Sequence, residues 1–115
     1  MMRIRTRSEW TDVTPRIRTA GREALFDVLE YLLDESNKIV PHDKGDLQAS
    51  GQVSIDPNKL IGSVSYNTPY AIRLHEHPEY KFQKGRQGKW LEKTFKAKKS
   101  KVQQYMRDRI ASALE

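Results

Sequence analysis

From Ile17 to Leu33, apolar residues recur at three- and four-residue steps. Ile17, Ala20, Ala24, Leu25, Val28, Leu29, Leu32 and Leu33 therefore share one stripe of an α-helix. This stripe constrains the fold more than any other feature, because an apolar face of such length has to be covered by other elements. Thr14 has the chemistry of an N-cap, and Pro15 suits the first helical position. Glu23, Asp27, Glu30, Asp34 and Glu35 fall mostly off the stripe, and Pro41 stops the pattern just after Val40. The predicted helix covers residues 14–38. A second helical pattern starts at Lys89 and Trp90 and runs to the C-terminus. Its buried side is expected at Trp90, Leu91, Phe95, Val102, Tyr105, Met106 and Ile110, and Lys96, Lys98, Lys99 and Lys101 crowd its polar side.

Between the helices the pattern changes. Asp43, Lys44 and Gly45 are turn residues, and "DLQASG" has room for one or two helical turns ended by Gly51. "QVSID" and "KLIGSVSYN" alternate in part, through Val53 and Ile55 in the first and Leu60, Ser63 and Ser65 in the second. "DPN" between them reads as a turn, so a β-hairpin is expected. Two strands alone are marginal, so this sheet must lean on the first helix or gain strands from elsewhere. Thr68 and Pro69 open a short helix, "YAIRLHEH", which Pro78 ends. The expected fold is α+β. A long N-terminal helix and a C-terminal helix pack on a small antiparallel sheet or hairpin, with a short helix between. The 115 residues make one domain, 1–115, with a basic N-terminal arm at 1–13 and a mobile basic loop at 81–88.

Composition narrows the function classes. There is no cysteine, which removes disulfides, thiol catalysis and thiolate metal sites. No apolar run approaches the roughly 20 residues of a membrane span. "MMRIRTRSEW" lacks the apolar core of a secretory signal, so a soluble, cytoplasmically made chain is expected. Net charge is +6 and unevenly spread. Residues 1–22 hold six basic and two acidic side chains, residues 23–80 four and ten, and residues 81–115 eleven and three. An acidic middle between basic ends suits a solvated surface. It also suits electrostatic steering of copies or partners together, and it permits nucleic-acid contact.

The densest stretch is "YNTPYAIRLHEHPEY", residues 66–80. His75 and His77, with Glu76 and Glu79, form the one metal-like cluster. Two histidines two apart point to roughly opposite sides of a helix, and no third strong ligand stands nearby, so no metal is expected. A histidine at a helix C-terminus also meets the partial negative charge of the free carbonyls. No nucleophile or oxyanion-hole pattern accompanies these histidines, and "GRQGKW" and "GDLQASG" match no phosphate or dinucleotide fingerprint. No catalytic residue and no cofactor is expected. Recognition is the stronger reading, because tyrosine and histidine offer contact area with a polar tip. Candidate interface residues are Tyr66, Tyr70, His75, His77, Tyr80 and Phe82, with Lys84 and Arg86 from the loop. Ile72, Leu74 and Trp90 are expected in the core.

The order of motifs resembles a family of small neck proteins of long-tailed bacteriophages, called minor capsid, head–tail connector or tail-completion proteins. Val40, Pro41, Asp43, Gly45, Leu47 and Ser50 match a first segment of that family. Tyr66, Thr68, Pro69, Tyr70, Ala71 and His75 match a second, and Gly88, Lys89, Trp90 and Leu91 a third. The resemblance spans about residues 14–110. Lys44 departs from the family's usual threonine, and the loop at 81–88 is short. The resemblance implies a non-catalytic virion protein at the head–tail junction, joined to itself as a homo-oligomeric ring. A hexamer is favoured, with a dodecamer as the alternative. It further implies contact with other neck proteins, a tail terminator or the tail tube, and DNA nearby in the channel. Pro41, Asp43, Gly45, Leu47, Pro69, Trp90 and Leu91 become structural motif residues in this reading. The competing reading is a small basic nucleic-acid-binding or toxin-like domain.

Overall fold

A computed structural model of the chain describes residues 2–7, 14–41, 46–56, 58, 61–68, 71–79 and 88–114, with residues 2–7, 46 and 72 described by backbone alone. The element order is β1 (Met2–Arg7), α1 (Pro15–Asn37), α2 (Asp46–Ala49), β2 (Gln52–Asp56), β3 (Ile61–Tyr66), α3 (Ala71–Glu76) and α4 (Trp90–Leu114). The chain is α+β, with two long helices on a small antiparallel sheet and a short helix between them.

α1 begins and ends where its side chains dictate. Thr14 is extended (φ −67°, ψ 154°), and its hydroxyl accepts from the Ile17 N–H at 3.4 Å. Pro15 loses no hydrogen bond at the first position, since that N–H would have no helical partner. At the other end, the Lys38 N–H donates to Glu35 O, those of Ile39 and Val40 donate to Ser36 O, and Pro41 follows.

The sheet has three strands in the order β1-β3-β2, both pairs antiparallel. The hairpin of β2 and β3 is the expected one, and β1 is a correction. Residues 2–7 of the expected basic N-terminal arm, 1–13, form an edge strand, which supplies the third strand that a hairpin needs. Its register sets Met2, Ile4 and Thr6 opposite Tyr66, Val64 and Gly62, and Arg3, Arg5 and Arg7 opposite Ser65, Ser63 and Ile61. Alternation along "MRIRTR" is therefore a strand period with arginine on every second residue. Residues 8–13 of the expected arm lie outside the described residues.

β3 is central and buried along nearly its whole length. Its Val64 and Tyr66 join Leu25, Val28, Leu29 and Leu32 of α1, with Trp90 and Leu91 of α4, in one core. Val53 and Ile55 of β2 pack at its edge. On the reverse face the hydroxyls of Ser54 and Ser63 share a hydrogen bond of 2.8 Å. Gly62 lets α1 lie close over the sheet. A Cβ there would overlap Leu29 Cδ1 and stand 3.3 Å from Leu25 Cγ. Gly62→Ala is expected to cost about 1–3 kcal/mol by overpacking, read as a lower denaturant midpoint. An unchanged midpoint would show that α1 yields freely at this point.

α4 runs antiparallel to α1, since Lys98 pairs with Glu35 while Arg109 pairs with Glu23 and Asp27. Trp90 and Leu91 are buried, and Phe95, Val102 and Met106 pack partly against the core. Tyr105, expected inside, is a correction. It lies at the surface, and its hydroxyl donates to Asp27 at 2.7 Å. Among the described residues no helix is long and apolar enough to cross a membrane.

Candidate functional site

The three motif segments share one core, and two rings of the second meet the indole of the third. Trp90 opens α4 and is fully buried. The Tyr66 ring meets it edge-on with centroids 5.7 Å apart, and the His75 ring does so at 4.8 Å. Pro41, Leu47 and Ala71 are also buried, which brings all three segments into the interior. The Ser50 hydroxyl donates to Leu47 O at 2.7 Å and accepts from the Asn67 N–H at 3.2 Å, tying the first segment to the second.

Each polar group in this cluster but one has a partner. The Tyr66 hydroxyl donates to Asn37 Oδ1 at 2.6 Å and shares a hydrogen bond with Ser36 Oγ. Burial pushes this phenol up to about 12, against a smaller opposing effect of the Ser36 hydrogen bond. Trp90 Nε1 is the exception, a buried donor with no acceptor among the described residues. An orphan of that kind costs about 1–3 kcal/mol.

His75 acts as a cap supplied from a distance. Its Nε2 accepts from the Leu91 N–H at 3.3 Å, one of the donors that the first turn of α4 leaves free. Its Nδ1 lies 3.1 Å from Glu76 Oε1 and its backbone oxygen accepts from the Lys89 N–H at 2.7 Å. This arrangement needs the neutral ring with the proton on Nδ1. Both ring nitrogens of His75 are thereby committed within the chain. Among the described residues no group of three or more His, Asp or Glu could hold a metal ion. His77 lies beyond the helix end, part-exposed, with Nδ1 2.7 Å from Glu79 Oε1.

Glu76 also accepts from Lys89 Nζ at 2.6 Å. That hydrogen bond, then the one from His75, holds the Glu76 carboxyl below its usual range. Lys89 itself has φ 55°, a left-handed conformation unusual for a side chain with a Cβ. The preceding Gly88 is buried. A Cβ on it would lie 2.8 Å from Pro78 Cα and 2.9 Å from Leu74 O. "GK" before Trp90 is thus a tight backbone crossing that aims the tryptophan inward. Gly88, expected in a mobile loop at 81–88, is the packed end of that stretch.

Two of the expected interface residues need correction. Tyr66 and His75 lie in the interior of the chain, at 0% and 4% exposure, and so offer no surface to a partner. His77 remains accessible. Tyr70, Tyr80, Phe82, Lys84 and Arg86 lie outside the described residues, as do Asp43, Gly45 and Pro69 of the motifs. One signal in the sequence did point to the role of His75. The helix at Trp90 is preceded by Gly-Lys and carries no Ser, Thr, Asp or Asn cap, so its first donors had to be met from elsewhere. Comparison with protein-family models, with curated proteins and with solved structures finds no match.

Proposed function

We propose that this chain is a structural subunit of the head–tail junction of a long-tailed bacteriophage. It joins the DNA-filled capsid to the tail as a ring of identical copies, hexameric for preference, and it carries out no catalysis. One observation carries the reading. Those residues by which the chain resembles the neck family that are described and buried come from three segments, yet they share one core cluster with Trp90. Tyr66, Ala71 and His75 of the second segment, Leu47 of the first, and Trp90 and Leu91 of the third form a common interior. Short motifs matched by coincidence have no reason to pack on one another. Residues matched through a shared fold do.

The test is electron microscopy of phage particles lacking this gene. DNA-filled heads and separate tails are expected. Normally joined virions would overturn the proposal. Strong salt-dependent DNA binding by the purified chain, together with normal virions, would favour the basic nucleic-acid-binding alternative, to which Arg3, Arg5 and Arg7, alternating along β1, lend charge.

A further inference from the structure

The two long helices carry ridges of opposite charge on their outer sides. On α1, Glu23, Asp27, Glu30 and Asp34 follow at steps of three and four residues, with Phe26 next to Asp27, on the side away from the buried stripe. Glu23 and Asp27 are engaged within the chain by Arg109, at 3.3 and 2.8 Å. Among the described residues neither Glu30 nor Asp34 makes a close ion pair, and Lys38, whose charge Asp34 feels from one turn away, is hydrogen-bonded to Glu35 instead. Phe26 stands among them half exposed, the most exposed aromatic side chain of the described core elements. A groove of about 390 Å³ beside it is lined by Arg22, Glu23, Phe26, Asp27 and Ile55. This ridge is therefore acidic with an apolar centre.

α4 carries the complement. Lys93, Lys96 and Lys99 follow at three-residue steps, all exposed, and none has an ion-pair partner among the described residues. Their neighbours behave differently. Lys98 turns to Glu35 at 3.8 Å, and Lys101 lies over the Tyr31 ring at 5.0 Å. The lysines facing α1 are used inside the subunit, and those facing away are not.

We propose that the acidic ridge of α1, centred on Phe26, Glu30 and Asp34, docks onto the Lys93–Lys96–Lys99 ridge of α4 in a second copy of this chain. This deepens the ring-subunit reading and rests on it. Each copy carries both ridges on different helices, so the contact is heterologous. Every docked copy leaves one ridge open for the next, and a suitable rotation closes the ring. Lysine supplies both parts of the contact. Its ammonium meets a carboxylate, and its aliphatic stem covers apolar surface such as the Phe26 ring. Nucleic acid fits the lysine ridge alone and would be repelled by Glu30 and Asp34. A second copy satisfies both ridges.

The test uses two charge-reversed variants, Glu30→Lys/Asp34→Lys and Lys93→Glu/Lys96→Glu/Lys99→Glu. Neither set touches the core, and circular dichroism melts check that both fold. Sedimentation velocity at low salt follows wild type, each variant, and an equimolar mixture. Wild type is expected to self-associate with rising concentration, less so as salt is raised. Each variant alone associates at least roughly a hundredfold more weakly, because like charges then face one another. The mixture regains association, since the untouched lysines of one variant meet the untouched carboxylates of the other. The proposal is overturned if wild type stays monomeric at every concentration, or if either variant associates as wild type does. It is equally overturned if the lysine variant loses only binding to DNA. Joined virions in the gene deletion would sink the neck reading and leave the sedimentation result standing.

Discussion

Trp90→Ala is expected to cost about 3–5 kcal/mol of folding stability. The indole is fully buried, it opens α4, and two rings, one from β3 and one from α3, stand edge-on to it. Removing it empties the meeting point of β3, α3 and α4. Small domains hold only about 5–15 kcal/mol in total, so the variant will sit close to its unfolding transition. Trp90→Phe is the informative companion. It keeps a ring in place and deletes an Nε1–H that has no acceptor among the described residues, so its cost should be less than half that of alanine. Urea denaturation of the three proteins measures both effects. A small loss for alanine would mean that Trp90 is not the hub of the core. Equal losses for alanine and phenylalanine would mean that Nε1 has an acceptor after all.

Raising the pH should unfold the chain through Tyr66. Its phenol is pushed from 10 up to about 12 by burial. The folded-state value lies above the unfolded one, so between these limits the folded chain keeps a proton that the unfolded chain has released. The stability from burying the neutral phenol is intact below pH 10 and is lost as pH rises through about 12. Two pH units correspond to roughly 3 kcal/mol. Phenolate absorbance and far-ultraviolet circular dichroism, followed together, test this. One tyrosine should ionise late, in step with the loss of helix. Tyr66→Phe should lack that late step and hold its helix to higher pH. Ionisation of every tyrosine while the helices stay intact would overturn the assignment.

The acidic side behaves in the opposite sense, and the contact is smaller. Glu76 is held below its ordinary range by Lys89 and then by His75. Its contribution is present at neutral pH and fades as acid protonates it. The group is exposed, so this is a local adjustment at the start of α4 and not a switch for the whole fold.

Much of this protein was legible from local pattern. The stripe from Ile17 to Leu33, capped by Thr14 and Pro15, determined α1 to within a residue at each end. The helical repeat from Trp90 determined α4, and the alternation in "QVSID" together with the turn at "DPN" determined the hairpin. These features hold because helix and turn preferences act over a few neighbouring residues. The β1 strand was masked by its own composition. Three arginines in "MRIRTR" read as a charged arm, although their alternation is the period of a strand. Whether such a segment pairs depends on an open edge of β3, some sixty residues away in the chain.

Tertiary structure alone decided the roles of Tyr66 and His75 in "YNTPYAIRLHEHPEY". By composition they suit a binding surface. Tyr66 is interior because Ser36 and Asn37, at the end of α1, satisfy its hydroxyl. His75 is interior because α4 begins without a cap of its own and presents the Leu91 N–H to its ring. A polar side chain is buried when a distant part of the chain supplies the hydrogen bond that water would otherwise make. No local window of sequence contains both partners, so periodicity determined the elements, and the meeting of α1, β3, α3 and α4 determined which polar groups went inside.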